Sequence, residues 1–140
     1  MSGASKIFRA RQAMGRTVRG PALVAHDGFS ARYDLDRIKG VFSRPAHKLA
    51  GQSYVGKILV LDTAKGGVAT AWMLHAMRAT GVVPAALILN SVNPIMVQGA
   101  ALADFTMLAG FDGDITALLR TGDEVEIDPE GPLVRVLKRA

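Results

Sequence analysis

The sequence predicts a mixed α/β domain, a mixed sheet layered with two main helices. Three observations predict it. Two continuous apolar runs, "KILVLD" (57–62) and "PAALILN" (84–90), bracket the helix-length segment "VATAWMLHAMRATG" (68–81), making one β-α-β unit. The chain before residue 57 holds short apolar runs broken by turn residues. Near the end, "DEVEID" and "PLVRVLK" flank the turn residues "PEG" and read as a closing hairpin.

Taken in order, "KIFRARQAM" (6–14) alternates in part and suits an edge strand. "GPALVAH" (20–26) is a short apolar run opened by Gly-Pro, a strand candidate. Residues 27–56 are rich in Gly, Pro, Ser, Asp and Arg, and so long an irregular stretch in a compact domain is often functional. "KILVLD" is the strongest strand, apolar without alternation and therefore buried on both faces. The helix over 68–81 ends at Gly81, a C-terminal cap, and is apolar round most of its circumference, so it is central or docked. "PAALILN" is the second buried strand. "PIMVQGAALAD" (94–104) reads as a helix with Pro94 in its first turn, and "FTMLAG" (105–110) as a third apolar strand. A short helical turn over 114–120 precedes the hairpin. There is no internal repeat or low-complexity linker, so residues 1–140 read as a single domain.

Composition narrows the function. Apolar residues make up 49% of the chain and charged ones 21%, which is oily for so small a domain and suggests that a partner covers part of it. The net charge is +5, but the basic residues are scattered and aromatic residues amount to 6%, which argues against nucleic-acid binding. Attraction of an anionic substrate or an acidic protein face explains the charge as well. With no cysteine, the chain makes no disulfide, thiolate nucleophile or cysteine-held cluster of its own. No apolar stretch approaches the roughly 18 residues a membrane span needs, and the start lacks a signal-peptide apolar region, so the cytoplasm is the expected compartment.

The sharpest candidate site is the turn "AKGGV" between the first buried strand and its helix. Unpaired N–H groups at a helix start, with the positive end of its dipole, attract an anion, and Gly66 and Gly67 remove side-chain obstruction. Lys65 adds charge and Val68 a further N–H. Neither GxxxxGK[ST] nor GxGxxG is present, so a merely tight turn remains an alternative. His47, in "RPAHKLAGQS", is a candidate for substrate binding or proton transfer, although a lone loop histidine is more often idle. His26 ends a strand, His75 lies on a helix, and both read as structural. The histidines are too far apart for a metal-ligand spacing, and no metal site is expected in this chain. Asp34 and Asp36 project together only if "YDLD" is extended. Asn90, Ser91 and Asn93 follow the carboxyl end of a strand, where α/β sites gather, with Asn93 a candidate helix cap. Ser53 and Thr70 are the hydroxyls nearest the glycine turn in sequence.

The stretches "LAGQSYVGKILVLDTAKGGVATAWMLHAMRATGVVPAALILN" and "PIMVQGAALADFTML" resemble the small subunit of aconitase X. The similarity runs from "GPALV" almost to "RTGDEVEID". It is sharpest at P-x-x-x-L-x-G-Q-S (Pro45 to Ser53), at the strand–glycine–helix and at "PAALI". The resemblance implies a swivelling β/β/α domain of aconitase type that closes over a large subunit holding an iron or iron–sulfur centre. It implies a hydro-lyase active only with that partner. The implied substrate is a small hydroxy acid, cis-3-hydroxy-L-proline in the bacterial branch or mevalonate 5-phosphate in the archaeal one. The resemblance implies that the turn at 64–70 faces the shared cleft, so that the Gly66, Gly67 and Val68 N–H groups bind the substrate carboxylate. Lys65 and His47, singled out from the residues themselves, are the further candidates for substrate binding, and neither nucleic acid nor membrane is expected as a partner. Many relatives carry a serine, the presumed base, where this chain has Gly67. That departure points to the hydroxyproline branch and leaves Ser53, Thr70 or the large subunit to supply a base. A stand-alone anion-binding domain and a noncatalytic regulatory partner remain open from the residues alone.

Overall fold

Two strands buried on both faces organise the molecule, and each contributes to two separate cores. The computed structural model describes residues 6–29, 34–64, 68–92 and 105–140, together with residues 94, 97, 98 and 101. The strands before the first helix are β1 (Lys6–Arg9), β2 (Gln12–Met14), β3 (Val18–Val24), β4 (Gly28–Phe29), β5 (Leu35–Asp36), β6 (Val41–Phe42) and β7 (Ile58–Ala64). Helix α1 (Val68–Thr80) follows, then β8 (Ala86–Ser91), β9 (Met107–Ala109), a one-turn helix α2 (Ile115–Leu118), β10 (Glu124–Asp128) and β11 (Leu133–Lys138). The expected helix over 94–104 lies largely outside the described residues, and its described members Pro94, Val97, Gln98 and Ala101 are helical.

The main sheet runs β1-β11-β10-β3-β7-β8-β9-β2, with β4 also on β7. Strands β3, β7, β8 and β9 are mutually parallel, and the other pairings in this path are antiparallel. Its two ends, β1 and β2, are consecutive in the chain, so the sheet closes on itself. The handover takes two residues: the Ala10 N–H donates to Pro132 O at 3.0 Å, on the β11 side, and the Arg11 N–H to Gly110 O at 2.8 Å, on the β9 side. The segment expected as an edge strand therefore removes both edges.

Because side chains alternate along a strand, β7 and β8 feed both faces. Ile58, Val60, Ala86 and Ile88 point into the barrel with Leu108, Val125, Ile127, Val134 and Val136, and Phe111, Ile115 and Leu119 plug it. Leu59, Leu61, Leu87 and Leu89 point outward and are covered by Met73 and Met77 of α1 and by Leu35, Phe42, Leu49 and Tyr54. Met73 and Met77 are one helical turn apart, whereas His75, Ala76, Arg78 and Ala79 are exposed. Helix α1 is thus docked rather than central. It ends where expected: Gly81 has φ +79° and its N–H returns to Met77 O at 3.0 Å.

The irregular stretch is tied down from within. His47 is buried, stacks on Phe42 with ring centroids 4.6 Å apart, donates from Nε2 to Gly28 O at 2.8 Å and accepts at Nδ1 from the Leu49 N–H at 3.0 Å. Arg44 bonds Asp34 through Nε and approaches Asp27 at 3.7 Å. Burial would raise the Asp27 carboxyl, but the Lys48 and Gly28 N–H groups and the nearby His47 and Arg44 outweigh it and lower its pKa. At the other end of the chain, Asp123 is fully buried and accepts from the Arg120 N–H (2.9 Å), the Ala140 N–H (2.8 Å) and Arg139 Nη1 (2.7 Å). Burial opposes its ionisation, yet these donors hold its pKa below the ordinary carboxylate value.

A folded-state pKa below the unfolded one means that Asp123 stabilises the fold above the unfolded value and loses that contribution as pH falls through the folded one. Asp123→Ala is expected to cost about 1–3 kcal/mol in urea denaturation at neutral pH, because it leaves two part-buried N–H donors and the Arg139 guanidinium without their acceptor. The gap between variant and wild type should narrow below about pH 4. A cost under about 0.5 kcal/mol, the scale of an ordinary surface substitution, would show that the tether is not structural.

Candidate functional site

Polar side chains gather where the parallel strands end. Asp62 continues the inward row of Ile58 and Val60, and Asn90 that of Ala86 and Ile88, so the apolar barrel interior gives way to polar groups at its mouth. The two stand side by side, because Leu61 pairs with Leu89 and Thr63 with Ser91. Asn90 Nδ2 donates to Asp62 Oδ1 at 3.0 Å and to Asp114 Oδ1 at 2.8 Å, and its Oδ1 accepts the Ile115 N–H at 2.7 Å. Asp114 caps α2, taking the Thr116 N–H at 3.0 Å and the Thr116 hydroxyl at 2.6 Å. The Thr116 and Asn90 donors lead in lowering the Asp114 pKa, against some burial and with help from His26.

His26 enters this network through a defect in strand pairing. Residues 22–24 pair with 58–60, but 28 and 29 pair with 63 and 64, so Ala25, His26 and Asp27 face only Leu61 and Asp62. One extra residue makes a bulge, a device that re-aims a side chain. The His26 ring lies with Nδ1 3.0 Å from Thr116 Oγ1 and 3.3 Å from Asp114 Oδ2. Just beyond, the Ser91 hydroxyl donates to Thr63 Oγ1 at 3.1 Å.

The sequence candidates fall into three groups. Lys65, Gly66 and Gly67 lie outside the described residues. So do the side chains of Val68 and Thr70, although both residues belong to α1. Of the flanking elements, β7 ends at Ala64 and α1 begins at Val68. Ser53 belongs elsewhere: it precedes the Tyr54–Lys57 turn at the start of β7, and Gly56 bonds Val83 at the far end of α1, so the strand separates Ser53 from the glycine turn. The His47 side chain is fully covered and both ring nitrogens are engaged within the chain, so it holds residues 28 and 49 in place instead of facing a ligand. Asp34 is buried against Arg44, and Asp36 shapes a turn by accepting the Ile38 and Lys39 N–H groups. Asn90 and Ser91 are where a strand-end site needs them. The sequence assigns no role to Asp62, Asp114 or Thr116 and reads His26 as structural, whereas the structure gathers all four at the mouth. "DGDIT" does carry an N-cap signal, but its contact with residues 26 and 90 depends on closure of the fold.

The mouth carries two carboxylates, so it repels an anion and suits hydroxyl or proton chemistry. An anion would be better served by a helix start such as that of α1. The chain's own residues do not fit an iron–sulfur centre, since there is no cysteine, and no group of three His, Asp or Glu is arranged for a metal among the described residues. No helix among the described residues is long and apolar enough to cross a membrane.

Comparison with known proteins agrees with this architecture. The family model described as aconitase X swivel domain matches residues 7–136. A phosphomevalonate dehydratase small subunit from Methanothrix thermoacetophila is 31% identical over 101 residues, covering 72% of this chain and 74% of that one. Its namesake from Thermococcus kodakarensis is 27% identical over 131 residues, covering 94% and 96%. The crystal structure of Thermococcus kodakaraensis aconitase X in its holo form superposes with a TM-score of 0.86 at 26% identity, over 95% of this chain and 99% of that one. With a closed mixed barrel, polar strand ends and a family match over nearly its whole length, this chain belongs to the aconitase X swivel-domain family.

Proposed function

We propose that the chain is the small subunit of an aconitase X-type hydro-lyase and is active only with a large subunit. The carrying observation is the family match over residues 7–136, together with relatives of nearly equal length named as dehydratase small subunits. The reaction removes a proton beside a carboxylate and a hydroxyl from the next carbon, leaving a double bond and water. In this reading the main-chain N–H groups of Gly66, Gly67 and Val68, with Lys65, bind the substrate carboxylate, and closure of the domain excludes water. An iron or iron–sulfur centre would then belong to the large subunit, and the site would be cytoplasmic.

Mevalonate 5-phosphate is the first substrate to test, because the relatives named above are phosphomevalonate dehydratase small subunits. A second reading, cis-3-hydroxy-L-proline, rests on Gly67, since the resemblance to the family implies a serine at that position in a mevalonate 5-phosphate subunit. The purified chain alone should turn over neither compound, and addition of its large subunit should give turnover of one. Turnover by the isolated chain, or none by the complex with either compound, would contradict the assignment. Within an active complex, Gly67→Leu should lower kcat/KM at least about tenfold, because it obstructs main-chain approach to the anion, while shifting Tm only a few degrees. Parallel loss of stability and turnover would make the turn a folding element.

A further inference from the structure

We propose that His26, oriented by Asp114 and Thr116, is a proton-transfer residue of the composite site; this rests on the dehydratase reading. The hydrogen bonds fix which nitrogen is basic. Thr116 Oγ1 donates its own hydrogen to Asp114 Oδ1 at 2.6 Å, so toward His26 it is an acceptor, and Asp114 Oδ2 is an acceptor as well. Nδ1 therefore carries the proton, and the lone pair of the neutral ring lies on Nε2. Nε2 has no partner among the described residues, and the side chain is 59% exposed at the barrel mouth.

The support for the ring is itself rigid. Asp114 is held by Asn90 Nδ2 and by the Thr116 N–H, and Asn90 by Asp62 and the Ile115 N–H. A carboxylate behind Nδ1 stabilises the imidazolium formed when Nε2 takes a proton, the arrangement a general base requires. The charged groups facing His26 are Asp114 and, behind Asn90, Asp62. Asp27, its neighbour in sequence, is turned to Lys48, Gly28 and Arg44. Thr63 and Ser91 bond each other, and among the described residues no base bonds either hydroxyl. The bulge that presents His26 faces Leu61 and Asp62, and the Gly28 and Phe29 that follow it pair with Thr63 and Ala64 at the end of β7.

In the elimination, Nε2 takes the proton from the carbon beside the carboxylate, and the electrons of that C–H bond form the C=C bond. The C–O bond breaks with its electron pair on oxygen. The imidazolium returns its proton to the departing hydroxide, water leaves, and the neutral ring is restored. A base on this residue also accounts for a subunit that has glycine at 67.

The test uses the complex reconstituted with the large subunit. His26→Gln should lower kcat about a hundredfold or more, with KM and Tm little changed, and should remove the acid limb of the kcat–pH profile. His26→Ala should recover activity on addition of imidazole, a response that a structural role would not give. Asp114→Asn should lower kcat less than His26→Gln does, with KM little changed. The proposal is overturned if the wild-type complex turns over substrate while His26→Gln stays within about twofold of it with the same pH profile. It is likewise overturned if His26→Ala loses activity that imidazole does not restore. A wild-type complex without turnover removes the dehydratase reading and this role with it, which separates the two failures.

Discussion

Burial of β7 and β8 on both faces is the constraint from which the rest follows. Ile58 to Leu61 and Ala86 to Leu89 leave no exposed side chain, so neither strand tolerates a polar group along its middle. Polarity is admitted only at the ends. At the carboxyl end the inward row changes from Val60 and Ile88 to Asp62 and Asn90, and each finds partners in the other, in Asp114 and in the start of α2. The apolar body of the strands thus confines this polar cluster to one rim of the barrel.

Closure makes that rim a shared structure. β1 and β2 pair with opposite ends of the sheet, and the turn between them brings β9 and the residues after it round to the same interior as β10 and β11. Gly15 permits the next turn: at φ +96° it lies where a Cβ would sit 2.5 Å from Thr106 Cα, and Thr106 Oγ1 bonds both the N–H and the carbonyl of Arg16. Phe111, Ile115 and Leu119 fill the barrel, which sets Asp114 and Thr116 over residues 26 and 90. Local signals alone would make Asp114 no more than a helix cap.

Much of this was legible in the sequence because the responsible signals are local. The unbroken run "KILVLD" reports burial on both faces, Gly81 reports the helix stop, and "PEG" between alternating segments reports the β10–β11 hairpin. Closure was not legible, since partial alternation over 6–14 looks the same in an edge strand as in one that bridges two edges. His47 looked like a loop histidine because its acceptor, Gly28 O, is 19 residues away. Ser53 is close to the glycine turn in sequence, yet β7 places roughly 20 Å of strand between them. His26 looked structural because a register shift shows only when the pairing of 22–24 and of 28–29 is known.

The proposed site lies at the carboxyl rim, where His26, Asn90 and Asp114 stand near the end of β7, and the opposite end, with Ser53 and the 81–85 loop, has a structural part in this proposal. Amide hydrogen exchange of this chain, measured alone and in complex with its large subunit, tests that division most directly. Slowed exchange in segments 25–29, 62–68, 90–92 and 110–116, with 53–57 and 81–85 unchanged, is the predicted result. Protection confined to 53–57 and 81–85, with the carboxyl rim still exchanging freely, would contradict it.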